Sequence, residues 1–302
     1  MFASSVAVVV VTRLANSAAV LSVIAPLVAV TLSGPLVLIT TLKATLSLAL
    51  YVIAPLSLYL HLPFCSSPCF YCACTRVITR QPQVIDSYVT ALRREIALQG
   101  ALYDSNRTVS QMAWGGGTPT YLTSAQMTAL MTDLGTHFDL DTADSREFTM
   151  EIDPRTVDTD SIGLMAALGF NRASLGVQDF DINVQKAVNR IQSKDQVARV
   201  LDELRRVGFQ SVNFDLIYGL PCQSVMRFNA TLSEVILRRP ERIALYSYAH
   251  MPQLFSAQRQ IRDEDMPSAE TKLALMALAI ERLTAAGYVY IGMDHFALPT
   301  DE

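Results

Sequence analysis

Cys65-Ser66-Ser67-Pro68-Cys69-Phe70-Tyr71-Cys72-Ala73-Cys74 is the stretch on which the reading of this chain turns. Cys65, Cys69 and Cys72 form a CxxxCxxC run, and Cys74 follows one residue beyond it. Packing does not explain that spacing. Thiolates are soft ligands that suit iron and zinc. A [4Fe–4S] cluster takes a thiolate on each iron. Cys65, Cys69 and Cys72 supply three, which leaves one iron open. An open coordination position separates a reactive metal site from a structural one. A disulfide fits poorly, because Cys74 lies too close to Cys72 for an easy bridge. Structural zinc would need a second CxxC or a Cys/His pair, and His61 is a poor fourth partner. Zinc stays as the alternative metal.

Working outward, 302 residues can bury a large core, as one barrel-sized domain or two smaller ones. The net charge of −4 and the pI of about 5.6 give no basic field for nucleic acid. Five cysteines, four of them in one loop, fit a reducing cytoplasm and metal chemistry.

Residues 1–54 have a different character. No Asp or Glu occurs before Asp86, and the only charged side chains before Ala54 are Arg13 and Lys43. A membrane helix needs roughly 20 apolar residues. Segments 14–30 and 44–60 approach that length, but Pro26, Pro35 and Pro55 interrupt the wider run. A signal peptide fits poorly, since the apolar character runs far past a normal h-region. Three readings stay open: a membrane anchor, a poorly specified apolar tail, or translated sequence foreign to the ancestral protein. The abrupt change near Pro55 favours the last. The expected division is an atypical segment at 1–54 and a core domain at 55–302.

From Pro55 the pattern is strand then helix, repeated. A strand at 57–62 alternates Leu58, Leu60 and Leu62 and leads into the cysteine loop. A helix follows at 85–99, then a strand at 110–114 that runs into Gly115-Gly116-Gly117-Thr118-Pro119. Ser124 is expected to cap the next helix, which runs to about 134. Further strands are predicted at 147–152, 172–177, 211–218 and 243–248, with another starting at 288–293. Helices are predicted at 158–168 (closed by Gly169), from an Asp195 cap to Gly208, at 228–237 and at 268–286. Six strands alternating with helices predict a parallel α/β sheet, open or curled into a partial barrel. Sites in such folds lie at the C-terminal strand ends.

The unusual residues fall at that rim. They are the cysteine loop, the glycine run, Glu151, Gln178-Asp179, Asp215 and Ala249-His250. Glycines let backbone groups approach a ligand closely. A carboxylate such as Glu151 suits ribose hydroxyls, and Arg190 offers a planar fork for a carboxylate. Each has a plainer reading as a tight turn, a helix cap or a solvated arginine; their shared placement is the stronger argument.

Longer motifs carry a specific resemblance. The cysteine spacing is similar to that of the radical S-adenosylmethionine (SAM) enzymes, whose open iron is chelated by the methionine part of SAM. Pro55-Leu-Ser-Leu-Tyr-Leu-His-Leu-Pro-Phe-Cys65, Trp114-Gly-Gly-Gly-Thr-Pro-Thr-Tyr-Leu122 and Met150-Glu-Ile-Asp-Pro154 resemble the oxygen-independent coproporphyrinogen III oxidase (dehydrogenase) family of haem biosynthesis. So do Gly176-Val-Gln-Asp-Phe180, Val188-Asn-Arg-Ile-Gln192, Asp215-Leu-Ile-Tyr-Gly-Leu-Pro221, Tyr248-Ala-His-Met-Pro252 and Gly292-Met-Asp-His-Phe-Ala297. The likeness covers 55–302 almost without a gap.

That resemblance implies a partial (β/α)6 radical SAM barrel. It implies a [4Fe–4S] cluster on Cys65, Cys69 and Cys72, and two SAM molecules side by side. Tyr59, Gly116 and Glu151 would contact the first. Tyr71, Gly117, Thr118, Gln178, Arg190, Asp215 and Ala249 would contact the second or lie between the two. The family often has Phe where this chain has Tyr71. Cys74 would be the family's extra cysteine, needed for activity without binding the cluster. The implied reaction cleaves SAM with one electron to give a 5′-deoxyadenosyl radical. That radical takes hydrogen from the β-carbon of a propionate, and CO₂ and one electron then leave. Two such steps turn coproporphyrinogen III into protoporphyrinogen IX, with a reductant such as flavodoxin or ferredoxin and a cytoplasmic monomer as the expected setting. The family's C-terminal helical domain is expected to be missing, with decarboxylation impaired. A haem-binding chaperone and a non-catalytic fragment, with membrane contact through 1–54, are the rival readings. Those chaperones usually carry an aromatic residue where this chain has Cys74, which favours the enzyme.

Overall fold

The computed structural model describes residues 8–12, 55–103 and 107–301. Apart from its strand β1 (Val8–Thr12), the apolar 1–54 segment lies outside the described residues. Strand β1 pairs antiparallel with β2 (Leu56–Leu62). Leu56, Leu58, Leu60 and Leu62 are buried and the residues between them are not, as the two-residue strand period dictates. Two short strands, β3 (Phe64–Cys65) and β4 (Val77–Ile78), pair in parallel and bracket the cysteine loop.

The chain then alternates as expected. In order come α1 (Pro82–Gly100), β5 (Thr108–Gly116), α2 (Ser124–His137), β6 (Asp139–Leu140), β7 (Glu147–Ile152), α3 (Thr159–Ala167) and β8 (Arg172–Gln178). They are followed by α4 (Ile182–Ala187), α5 (Lys194–Arg206), β9 (Ser211–Tyr218), α6 (Val225–Arg238), β10 (Arg242–Ser247), α7 (Ala269–Ala285), β11 (Val289–Gly292) and β12 (His295–Ala297). The sheet runs β1-β2-β5-β7-β8-β9-β10-β12-β11, and the steps from β2 to β10 are all parallel. These six strands are the predicted six. The predicted strand at 288–293 is instead one arm of the β11–β12 hairpin, which joins β10 antiparallel through β12.

Two caps differ from expectation. Thr123, not Ser124, caps α2: its hydroxyl accepts the Gln126 N–H while the Gln126 side chain accepts the Thr123 N–H. Ser193, not Asp195, caps α5 by accepting the Gln196 N–H. A cap must sit just outside the helix to reach the N3 amide, and one or two positions further in that geometry is lost. Gly169, Gly208 and Gly287 follow their helices with φ of 95°, 96° and 91°, the left-handed closure that glycine permits.

The strands have two different faces. On one, Met150, Leu175, Val212, Phe214 and Leu216 are fully buried, packed with helix residues such as Leu92, Leu201 and Leu232. On the other stand Glu151, Ser174, Asn213 and Asp215, brought level by the register Glu151↔Ser174↔Asn213 and Gly176↔Asp215. Trp114 and Phe170 meet edge to face at 5.2 Å within the apolar layer. Among the described residues no helix is long and apolar enough to cross a membrane.

Candidate functional site

A cavity of about 480 Å³ opens at the C-terminal ends of the parallel strands. Its lining includes Cys65, Cys69, Tyr71, Cys72, Cys74, Gly116, Gly117, Thr118, Glu151, Gln178, Arg190, Asp215 and Ala249. Of the residues the resemblance assigns to cluster or SAM, Tyr59 does not line it, and of the other rim residues Gly115, Asp179 and His250 do not. Tyr59 sits half-buried on β2, with its hydroxyl 3.3 Å from His61 Nδ1. Asp179 also turns away, and it is buried among its own partners.

The cysteine loop is pinned from three sides. The Phe70 N–H donates to Val188 O (2.9 Å), Asn189 Nδ2 donates to Pro68 O (2.8 Å), and Arg76 Nη1 donates to Cys72 O (2.7 Å). Buried Gln258 donates to both Tyr71 O and Ala249 O at 3.1 Å, tying the loop to the turn after β10. Each of the three sulfurs meets its own hydrogen-bonding group. Cys65 Sγ lies 3.4 Å from Thr118 Oγ1. Cys69 Sγ accepts from Arg190 (3.6 Å) and Arg155 (3.8 Å). Cys72 Sγ accepts the Cys74 N–H (3.4 Å). The Cys74 thiol bonded to Cys72 pulls Cys72 down to about 6, against burial and with help from Arg76; the same contact, with burial, pushes Cys74 up. Burial pushes Cys65 up, opposed by Thr118.

Backbone conformation and close approach favour glycine in this run. A Cβ on Gly115 would lie 2.4 Å from Glu151 Oε1, and Gly116 holds φ of 118° while donating its N–H to Glu151 Oε2 at 3.1 Å. Burial raises the Glu151 carboxyl, and the Gly116 amide works against it. Gln178 takes φ of 63° at a bulge between β8 and β9, which turns its side chain to the cavity. The next residue explains how that strain is held. Asp179 accepts from Thr231 Oγ1 (2.6 Å), Gln223 Nε2 (2.6 Å) and the Asp181 N–H (2.7 Å).

Arg190 is almost fully buried. It donates to Asp153 Oδ2 (2.9 Å) and Gly176 O (2.7 Å), and its buried Nε finds no hydrogen-bond partner among the described residues. Arg190 lines the cavity, and its guanidinium charge suits an anionic ligand group. Asp153, Arg155 and Gln258 belong to this site and were not among the sequence candidates. Met150-Glu-Ile-Asp-Pro154 was visible as a motif, but nothing in it marks Asp153 as the carboxylate between two arginines.

Asp215 accepts from Ser174 Oγ (2.9 Å) and Asn213 Nδ2 (2.8 Å). Burial pushes its carboxyl up to about 7, these two donors oppose that, and nearby Glu151 adds to it. A carboxyl raised on folding stabilises the fold fully below its unfolded value of about 4, and that contribution is lost as pH rises through 7. Relative to Asp215→Asn, the wild type is therefore expected to lose stability between about pH 4 and 7 and to run parallel above. Urea titrations at stepped pH check this, and parallel curves throughout would contradict it.

The donor set fits an iron–sulfur cluster. Among the described residues no three His, Cys, Asp or Glu side chains converge as for a single metal ion. A four-iron cube, by contrast, takes one thiolate per iron and so asks for separated sulfurs around one cavity.

A model of the radical SAM superfamily matches residues 59–235. The oxygen-independent coproporphyrinogen III oxidase of Pseudomonas aeruginosa is 48% identical over 248 residues, 82% of this chain and 54% of that protein. The Escherichia coli protein of the same name is 46% identical over 256 residues, 85% of this chain and 55% of that protein. A solved Escherichia coli coproporphyrinogen III oxidase, described as a radical SAM enzyme, matches with a TM-score of 0.78 at 45% identity, over 81% of this chain and 56% of that one. The chain thus spans about half the length of the curated relatives it matches. The matched residues make up more than half of the sequence and contain the cysteine loop, the glycine run, Glu151, Arg190 and Asp215, and the chain belongs to the radical SAM superfamily.

Proposed function

We propose that residues 55–302 form the cofactor-binding core of an oxygen-independent coproporphyrinogen III oxidase. The reaction is oxidative loss of CO₂ from two propionates, giving protoporphyrinogen IX. The observation that carries this is the convergence on one cavity of three cysteine sulfurs, a glycine-floored wall and two raised carboxylates. The high identity to named enzymes of that activity supports the substrate.

Cys65, Cys69 and Cys72 would hold a [4Fe–4S] cluster and leave one iron to SAM. Bound together, cluster and SAM supply one-electron chemistry strong enough to take hydrogen from an unactivated carbon. The rest falls to the chain. Gly116 and Gly117 present backbone without side chains, and Glu151 and Asp215 offer acceptors for ribose hydroxyls or an ammonium group. Arg190 offers its guanidinium charge to a carboxylate. These residues, with Tyr59, Tyr71, Thr118, Gln178 and Ala249, would bind two SAM molecules, Tyr59 on the first through its strand. Each propionate gives up one hydrogen atom from its β-carbon, CO₂ and one further electron, and an outside reductant delivers the electron that cleaves SAM. A monomer accepting electrons from a flavodoxin or ferredoxin completes the reading.

Cys74 favours the enzyme over a haem-binding chaperone. Its thiol lines the cavity, where a thiol can hand hydrogen or a proton to a substrate. Cys74→Ser is expected to keep about four irons per chain and to lose on the order of 100-fold in decarboxylation. The test is anaerobic: reconstituted protein, dithionite, SAM and coproporphyrinogen III, with 5′-deoxyadenosine and vinyl product quantified together. Tight haem binding without decarboxylation would favour the chaperone instead.

A further inference from the structure

The three sulfurs do not have equal surroundings. Cys65 meets a neutral hydroxyl, Cys72 a backbone amide, the Cys74 thiol and the Arg76 guanidinium, while Cys69 meets two guanidinium groups held by one carboxylate. Arg190 has other duties, at Asp153 and Gly176 O. Among the described residues Arg155 has none outside this corner. Its Nε lies 3.0 and 3.2 Å from the two Asp153 oxygens, and its Nη2 lies 2.7 Å from Oδ2 and 3.8 Å from Cys69 Sγ. The Arg155 backbone N–H donates to Asp153 Oδ1 as well (3.0 Å), so side chain and main chain are locked together. Asp153 is buried, yet Arg190 and Arg155 hold its carboxyl below the usual range. One carboxylate between two guanidiniums leaves a net positive charge against a single sulfur.

On the reading of Cys65, Cys69 and Cys72 as cluster ligands, we propose that Arg155, clamped by Asp153, sets the cluster's reduction potential through a charged N–H···S bond to Cys69. Hydrogen bonds to cluster sulfurs and local charge are the levers by which a protein tunes such a potential. An added electron makes the cluster more negative. A fixed cation and its N–H groups therefore favour the reduced form and raise the potential. The Asp153 fork keeps the Arg155 group in place without consuming the N–H that faces the sulfur.

Arg155→Met removes charge and donors at similar length. Reconstituted wild type and variant, without SAM, are poised at stepped potentials and read by EPR, with iron and sulfide counted. The expected result is a midpoint lowered by about 59 mV, a tenfold fall in the reduced-to-oxidised ratio at the wild-type midpoint. Exposed Arg259→Met serves as the charge control and should leave the midpoint unmoved. An unchanged midpoint in a fully loaded Arg155→Met overturns the proposal, as does an equal shift in Arg259→Met. Should Arg155→Met fail to load, Arg155→Lys is read the same way: a smaller negative shift supports the proposal and none overturns it. A wild type that binds no iron or sulfide removes the cluster reading itself, and this proposal with it.

Discussion

Cys69→Ala is expected to bring bound iron from about four per chain to below one after anaerobic reconstitution. Cys69 has no understudy. Cys74 stands next to Cys72 and could move toward a vacated neighbouring position, but Cys69 is flanked by Pro68 and Phe70, whose backbone is bound to Asn189 and Val188. The groups that donate to its sulfur are arginines, which cannot bind iron. A cube left with two thiolates is open on two irons and exposed to hydrolysis. Iron and sulfide analysis reads the loss directly, and circular dichroism should show a folded chain, because the cysteine lies outside the buried apolar layer. A fully loaded Cys69→Ala would show that another residue completes the ligand set.

Gly117→Ala is expected to cost about 2–3 kcal/mol of stability, from the overpacking range for well-packed sites, and at least about tenfold in SAM affinity. A Cβ there would sit 2.6 Å from Pro63 C and O and 2.8 Å from Phe64 O, all backbone atoms. These cannot yield locally. The Gly117 N–H donates to Leu62 O (3.0 Å) and the Val77 N–H to Pro63 O (2.7 Å), so relief would pull β2 and the cysteine loop apart. Gly135→Ala is the comparison. It lies within α2, its Cβ would meet nothing nearer than 3.9 Å, and it should gain about 0.5–1 kcal/mol from helix propensity. Urea unfolding and anaerobic equilibrium dialysis with SAM measure both. Equal behaviour of the two variants would contradict the close-approach account.

The barrel strands were legible because alternation and glycine punctuation act locally. Leu56 to Leu62 declares its buried face in its own sequence, and Gly169, Gly208 and Gly287 mark helix ends by needing positive φ. The caps were misplaced by one or two positions, since Thr123 and Ser124 are chemically alike and only the Gln126 amide decides between them. The rim residues were legible by placement and resemblance together. Their supports were not. Arg155 reaches Cys69 across 86 positions and Gln258 reaches Tyr71 across 187, and no local pattern encodes such a meeting. Asp179 is adjacent to Gln178 in sequence, but its partners Gln223 and Thr231 lie 44 and 52 positions away, so its structural role is not local. The helix α4 is a six-residue element, too short to show a period.

Three thiolates in one loop, with the fourth iron corner left to SAM, is the claim on which the rest depends. The most direct measurement is EPR of the reconstituted protein after dithionite, recorded before and after SAM is added. The account predicts a [4Fe–4S]⁺ signal whose shape changes on SAM binding, and which Cys74→Ser leaves in place. A reduced cluster with a spectrum indifferent to SAM, or no cluster signal with iron and sulfide supplied, would contradict it.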